Sequence, residues 1–309
     1  YQYTFTAISN GNKFSSEPVN EVKLFVESVG AQILTEDVLS PDRVIDLHVR
    51  IENDNEETVK DIALKVKKHL LSSPRGYDLV FQKRDQRQDK KLFVFDMDST
   101  LIYQEVIELI AAYADIEDKV AAITERAMNG ELDFNELLRE RVLLLKGIDS
   151  TSIWDELKHK IEITKGAREL TKALKKLGVV MAVCSGGFIP LANYVKEQLG
   201  LDYAYANQLS TDADNRLDGT TTGEIVNGDK KASLLVEIAG KHEIDVKKAV
   251  AVGDGANDLS MMAAAGFGVA WHAKPKVQQL APCCLNSDSL QDVLYIMGFL
   301  DGEIEKLVK

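Results

Sequence analysis

Two aspartates stand one residue apart in Asp96-Met97-Asp98-Ser99-Thr100-Leu101, directly after the apolar run Leu92-Phe93-Val94-Phe95. Such a run suits a buried strand, whose C-terminal end would carry both carboxylates. In an open α/β sheet, ligands bind at that end. Two acids so spaced can divide the hydrolysis of a phosphate ester. Asp96 would attack phosphorus and become an aspartyl phosphate. Asp98 would protonate the leaving oxygen and later take a proton from water. On these six residues alone, an acidic turn after an edge strand is an equal reading, because Asp, Ser and Thr are common in turns.

Three downstream segments add to the pair. The apolar residues 179–184 run into Ser185-Gly186-Gly187, which the pattern places between a strand and a helix. A hydroxyl with free backbone N–H groups there can cradle a phosphate, or the serine can simply cap the helix. Lys231 falls on the stripe of Leu234, Leu235 and Ile238 at 3.6 residues per turn, while Lys230 points aside. An inward lysine needs a partner, which a phosphoryl oxygen and Asp96 would supply; a lysine snorkelling from the first turn is the alternative. Residues 249–252 run into Gly253-Asp254-Gly255-Ala256-Asn257-Asp258, which alone reads as a glycine-rich turn. Arg141 is likewise central on the face shared by Phe134, Leu138 and Leu145 of a predicted helix 134–145. It suits bidentate capture of a carboxylate, or an ion pair with Glu105 or Glu108.

In this order the four motifs resemble those of the haloacid dehalogenase superfamily of phosphohydrolases, over roughly residues 90–300. The phosphoryl group and the aspartates are all anionic, so a divalent cation must bridge them. Mg²⁺ is the expected ion, being hard, octahedral and satisfied by few carboxylates plus water and phosphate oxygens. Its ligands would be Asp96, the backbone carbonyl of Asp98, and Asp254. Asn257 and Asp258, on one face of the following helix start, would orient substrate and metal waters, as the resemblance implies. Residues 96–105, 128–142, 185–188 and 252–258 look like the branch of the superfamily that hydrolyses O-phosphoserine. That likeness implies Glu105 at the substrate amino group and Arg141 at its carboxylate. It puts Met128 and Phe134 in an apolar wall that limits size, and Ser185, Gly186 and Asn257 at the substrate. The implied reaction is Mg²⁺-dependent release of serine and phosphate, the last step of serine biosynthesis. Rivals are the same chemistry on another small phosphomonoester, an aspartate-phosphorylated signalling receiver, and an inactive amino-acid sensor. A receiver has no leaving-group acid two residues after its nucleophile, and intact Asp96, Asp98, Lys231 and Asp254 stand against an inactive protein.

The elements that would position these residues form an α/β fold: a Rossmann-like parallel sheet core with a helical cap insert, plus an N-terminal α+β ferredoxin-like (ACT-like) domain. The core takes residues 89–104 and 166–309, and the cap 105–165. In the cap, Val106, Leu109, Ile110 and Tyr113 make one stripe, and Asp133 with Glu136 reads as a capping box. The core reads as helix 167–177, strand 179–184, helix 189–199, strand 203–207, a hairpin-like excursion 208–226, helix 230–239, strand 249–253, helix 257–265 and strand 267–271. Residues 1–88 read βαββαβ, with strands over 1–8, 31–36, 44–51 and 77–82. This order resembles the amino-acid-binding ACT domains, and a packing or homodimerisation domain is an equal reading. Residues 82–90, where bases and acids interleave, read as a solvated linker.

The chain has 309 residues, with 37 basic and 49 acidic side chains and a formal net charge of −12. No basic stripe is present to neutralise a nucleic acid backbone. No apolar run reaches the ~20 residues a membrane span needs, and no signal-peptide pattern follows Tyr1. Three cysteines, Cys184, Cys283 and Cys284, make no disulfide or zinc framework. The expectation is a cytoplasmic enzyme with a small-molecule substrate.

Overall fold

The computed structural model describes residues 2–11 and 13–309. Tyr1, the first residue of the predicted opening strand, lies outside them. The N-terminal region runs β1 (Tyr3–Ser9), α1 (Ser16–Ser28), β2 (Ala31–Ser40), β3 (Val44–Ile51), α2 (Glu56–Ser72) and β4 (Tyr77–Lys83). Its sheet is antiparallel with order β2-β3-β1-β4. Tyr3, Phe5 and Ala7 pack with Val22 and Val26 of α1 and with Ile62 and Val66 of α2. The other face of β1 is also buried, so the strand does not alternate in exposure. There Thr4 and Thr6 bond to His48 and Asp46, and Ile8 joins the core of the second region.

Most of the charged stretch 82–90 is exposed, as a solvated linker would be, but Arg87 and Lys90 are buried. Arg87 is only 5% exposed. Its guanidinium donates to both oxygens of Asp46 at 2.7 and 3.1 Å, and to the carbonyls of Tyr295 and Ile296 at 3.2 Å each. Alternating charge implies solvation only when no buried partner waits, and Asp46 waits on β3. Nearby, Asp78 on β4 accepts from the backbone and side-chain nitrogens of Asn286 at 2.7 and 3.1 Å, and Arg43 pairs with Asp292 at 2.8 Å. The N-terminal sheet is therefore docked on the second region through buried polar contacts as well as apolar ones.

The second region begins with β5 (Leu92–Phe95). Next come four helices: α3 (Val106–Ala114), α4 (Glu117–Met128), α5 (Phe134–Leu143) and α6 (Ile153–Lys158). The chain then returns through α7 (Ala167–Lys176), β6 (Val180–Phe188), α8 (Ile189–Leu199), β7 (Tyr203–Thr211), β8 (Leu217–Thr222), α9 (Gly228–Lys241) and β9 (Ala249–Gly253). It ends with α10 (Leu259–Ala264), β10 (Phe267–Trp271), α11 (Pro275–Leu280), β11 (Cys283–Leu285), α12 (Val293–Ile296) and α13 (Asp301–Val308). The sheet order is β11-β10-β9-β5-β6-β7-β8, parallel except for β8, which returns antiparallel to β7. This is the expected parallel α/β core with a helical insert and an antiparallel N-terminal sheet.

Two facts position the site. Strand β5 lies between β9 and β6, and Phe95 is in register with both Val252 and Val183. The three strands are thus level at these residues, so Asp96, Asp254 and Ser185, one or two positions further on, meet. The stems of the helical insert are pinned by a bridge between Ile102 and Ile163 and by the bond from Thr164 N to the Leu101 carbonyl. At Gly166, where the insert rejoins the core, φ is +85° and any Cβ would run into Ser289 and the Leu290–Gln291 backbone, so the return needs glycine. No helix among the described residues is long and apolar enough to cross a membrane. All three cysteines are free.

Candidate active site

Asp96 leaves β5 with its backbone N–H bonded to the Val252 carbonyl at 2.8 Å. Its carboxylate Oδ1 receives the Lys231 Nζ at 2.9 Å, and the same ammonium reaches Asp258 Oδ1 at 2.8 Å. Lys231 is fully buried, on the inward face that helical spacing gives it. Burial alone would lower its proton affinity, but Asp258 and Asp96 outweigh that and raise it. It is held as a cation.

Asp258 stands behind the groups that line the cavity. It does not share the cavity with Asn257; it is fully buried behind Lys231. Its second oxygen accepts from the backbone N–H groups of Asp254 and Gly255 at 3.1 and 3.0 Å. The tight turn folds this carboxylate back onto its own loop, and a Cβ at Gly253 would collide with it. Asp254 is buried and accepts from Thr100 Oγ1 at 3.0 Å. Asp96, Asp254 and Asp258 each offer a carboxylate oxygen within 4.8 Å of the others. Burial raises all three acids: Asp96 and Asp258 to about 6, Asp254 in the same direction. Three buried carboxylates against one ammonium leave the cluster short of positive charge. An all-oxygen donor set of this kind fits a hard divalent cation.

Asp98 occupies a different niche. One oxygen accepts from the Val106 N–H at 3.1 Å, and the other is buried without a partner. Burial, then the nearby Glu105 and Asp96, push it well above the usual carboxylate range. A carboxyl with raised proton affinity beside one that is ion-paired fits the division of labour between a general acid and a nucleophile. Ser99 ties the loop after β5 to the start of the helical insert, with φ +57° and its hydroxyl donating to Glu105 at 2.7 Å.

Ser185 is neither a helix cap nor at a helix N-terminus. Strand β6 continues to Phe188, and α8 starts only at Ile189. The Ser185 hydroxyl accepts from the Gly187 N–H at 2.9 Å, an extended bend that helical expectations did not foresee. Gly186 lies beneath the ring of Phe134, where a Cβ would approach Cζ to 2.8 Å. The helical insert is thus seated on the sheet end.

A cavity of about 350 Å³ lies between insert and sheet. Asp96, Asp98, Asp254, Ser185, Gly186 and Asn257 line it from below. Glu105, Met128, Phe134 and Arg141 line it from the insert side. Lys231 and Asp258 sit beneath its floor. Met128 is 79% exposed, so the apolar wall is partly open to solvent. Arg141 forms no ion pair with Glu105 or Glu108 among the described residues. Its Nη2 donates to Thr124 Oγ1 at 2.6 Å, and its Nε is buried without a partner. Burial lowers its proton affinity from the ordinary arginine value.

Sequence reading missed Thr100, Thr124 and Lys274. Lys274 lines the cavity from the loop after β10, its backbone N–H bonded to the Asp254 carbonyl at 3.4 Å. The rule that ligands meet strand C-termini would have flagged it; nothing local marks the two threonines. A further cavity of about 880 Å³ lies between the N-terminal region and the core and is lined by none of these groups.

Residues 90–266 match the family described as haloacid dehalogenase-like hydrolase. The chain is 46% identical to the phosphoserine phosphatase of Saccharomyces cerevisiae over 307 residues, 98% of each protein. A crystal structure of a HAD family hydrolase from Salmonella enterica serovar Typhi superposes with a TM-score of 0.79 at 26% identity, covering 96% of this chain and 98% of that one. A substrate-bound phosphoserine phosphatase structure superposes with a TM-score of 0.62 at 43% identity, covering 67% of this chain and 97% of that one.

Proposed function

The chain belongs to the haloacid dehalogenase-like hydrolases, and among them to the phosphoserine phosphatases; from that premise we propose that it hydrolyses O-phosphoserine to serine and phosphate through an aspartyl-phosphate intermediate. The observation that carries the reading is one cavity with two halves. Its floor has a nucleophile and a proton donor with a buried cation beneath them; its roof has a glutamate and an arginine that forms no ion pair among the described residues.

Asp96 attacks phosphorus as the bond to the serine oxygen breaks, and Asp98 passes its proton to that oxygen. Water then attacks the aspartyl phosphate, and Asp98 takes the proton back. Lys231 holds Asp96 in place and offers positive charge to the phosphoryl oxygens, while Asp258 fixes Lys231. Ser185, Gly186 and Asn257 supply polar groups around the phosphate. Asp96, Asp254 and the Asp98 backbone carbonyl would hold Mg²⁺, which when bound neutralises the converging anions. Glu105 and Arg141 select the amino and carboxylate groups beside the ester, and Met128 with Phe134 limit size. Serine as product would make this the last step of serine biosynthesis. The open β2 edge of the N-terminal sheet, with Leu34 and Val38 exposed, is where a second copy would pair, measurable by sedimentation.

The test is phosphate release from phosphoserine, phosphothreonine and phosphoethanolamine, with and without Mg²⁺. Enzyme quenched in acid during turnover should carry label on Asp96, and Asp96→Asn should abolish both label and turnover. Preference for phosphoethanolamine, which has no carboxylate, would defeat the substrate assignment, and label on another residue would defeat the mechanism.

A further inference from the structure

Arg141 is an incomplete hydrogen-bonding centre. A guanidinium carries five N–H donors, and among the described residues only one of them, on Nη2, has a partner: Thr124 Oγ1 at 2.6 Å. Nε is buried and unpartnered. A buried donor in that state costs free energy unless something arrives to accept from it. Glu105 and Glu108 are near enough to act on the guanidinium electrostatically, yet neither pairs with it.

What keeps the arginine from swinging to those acids is on α4. The Thr124 hydroxyl donates its single proton to the Val120 carbonyl one turn back, at 3.0 Å. The oxygen is therefore left as an acceptor toward Arg141 and cannot reverse its role. Thr124 lines the substrate cavity and the adjoining cavity of about 600 Å³ between α3 and α4, into which Glu108 and Glu125 also face. It stands at the branch point between the two.

We propose that Thr124 is a positioning residue for substrate recognition: its hydroxyl, oriented by Val120, holds the Arg141 guanidinium with its remaining donors free for the substrate carboxylate. The proposal rests on the reading of phosphoserine as substrate. Without the hydroxyl, Arg141 would turn toward Glu105 or Glu108 and cancel its charge there. The binding of a carboxylate would weaken while the phosphoryl chemistry below lost less.

The experiment compares phosphoserine with a featureless aryl phosphate on each preparation of the full chain. Thr124→Val keeps the shape and removes the acceptor; Thr124→Ser keeps the acceptor. Thr124→Val should lower the ratio of kcat/KM for phosphoserine to that for the aryl ester by about tenfold, mainly through KM. Thr124→Ser should restore most of the ratio. In an Arg141→Ala background Thr124→Val should change the ratio little further, since the threonine acts through the arginine. An unchanged ratio in Thr124→Val, equal losses in the Val and Ser variants, or additive losses with Arg141→Ala would each overturn the inference while leaving the substrate assignment standing. A wild-type enzyme that does not favour phosphoserine over the aryl ester would instead remove the substrate assignment, and this inference with it.

Discussion

Replacing Lys231 with methionine would remove the cation beneath the candidate site at little change in volume. Its ammonium is fully buried, 2.9 Å from Asp96 and 2.8 Å from Asp258. At an effective dielectric of about 20, each contact is worth roughly 6 kcal/mol of Coulomb attraction, offset by the cost of dehydrating the ammonium. Removing one partner of a buried ion pair typically costs about 3–5 kcal/mol, because the other charge is left uncompensated. Here two carboxylates are left, with a third within 4.8 Å.

The loss has a pH signature. Asp96 and Asp258 are raised by burial to about 6 even with the lysine in place. An acid whose folded value exceeds its unfolded value stabilises the fold while protonated. It loses that contribution as pH rises from the unfolded value near 4 to the folded one. In the wild type this loss is complete a little above pH 6. In Lys231→Met both acids rise further, so stability keeps falling through neutral pH. Denaturant unfolding in excess chelator should show the variant about 3–5 kcal/mol less stable near pH 8, with a clearly smaller deficit near pH 5. Phosphoserine turnover at neutral pH should fall by about a thousandfold, since a protonated Asp96 is a poor nucleophile. Equal deficits at both pH values, or turnover within about tenfold of wild type, would refute the reasoning.

Chelation should abolish phosphate release and added Mg²⁺ restore it, and Asp254→Asn should raise the Mg²⁺ concentration for half-activity; undiminished activity in excess chelator would contradict a cation at the acid cluster. Asp78, almost fully buried between the two regions, is pushed up to about 7 by burial. By the same sign rule it weakens the fold as pH rises from about 4 to 7, by at most roughly 4 kcal/mol, so Asp78→Asn should gain in Tm relative to wild type as pH goes from about 5 to 8, and parallel curves would disprove it. A chain starting near Lys90 would still hold every residue of the candidate site. It would, however, expose Tyr295 and Ile296 and strip Asp292 of Arg43. It should therefore aggregate or lose Tm while any soluble fraction hydrolyses phosphoserine; soluble, folded and inactive protein would show that the N-terminal region helps build the site.

What the sequence determined by itself is local and periodic. Four apolar residues before Asp96 make a strand, so the acids stand at its C-terminal end. Helical spacing alone turns Lys231 inward and Lys230 outward. Asp133 and Glu136 form their capping box, and Gly200 stops α8 after Leu199, because these signals depend on neighbours within one turn. The tertiary structure decided whatever depends on distant partners. Arg87 looked solvated because Asp46 is 41 residues away, and burial of that charge makes sense only with the partner in place. Ser185 was offered as a cradle or cap at a helix N-terminus, but β6 runs on past an irregularity to Phe188, which pairs with Asn207 of β7, a cross-strand contact that residue patterns do not reveal. Asn257 and Asp258 were placed together on one face of a helix start, but Asn257 lines the cavity while the Asp258 carboxylate folds under Lys231 and onto its own loop. Thr124 carries no mark of its own, and only the packing of α4 against α5 brings its hydroxyl to Arg141. Chemistry could be read from residue types at strand ends, but which charges are paired, and which are left free for a ligand, was set by contacts between elements far apart in the chain.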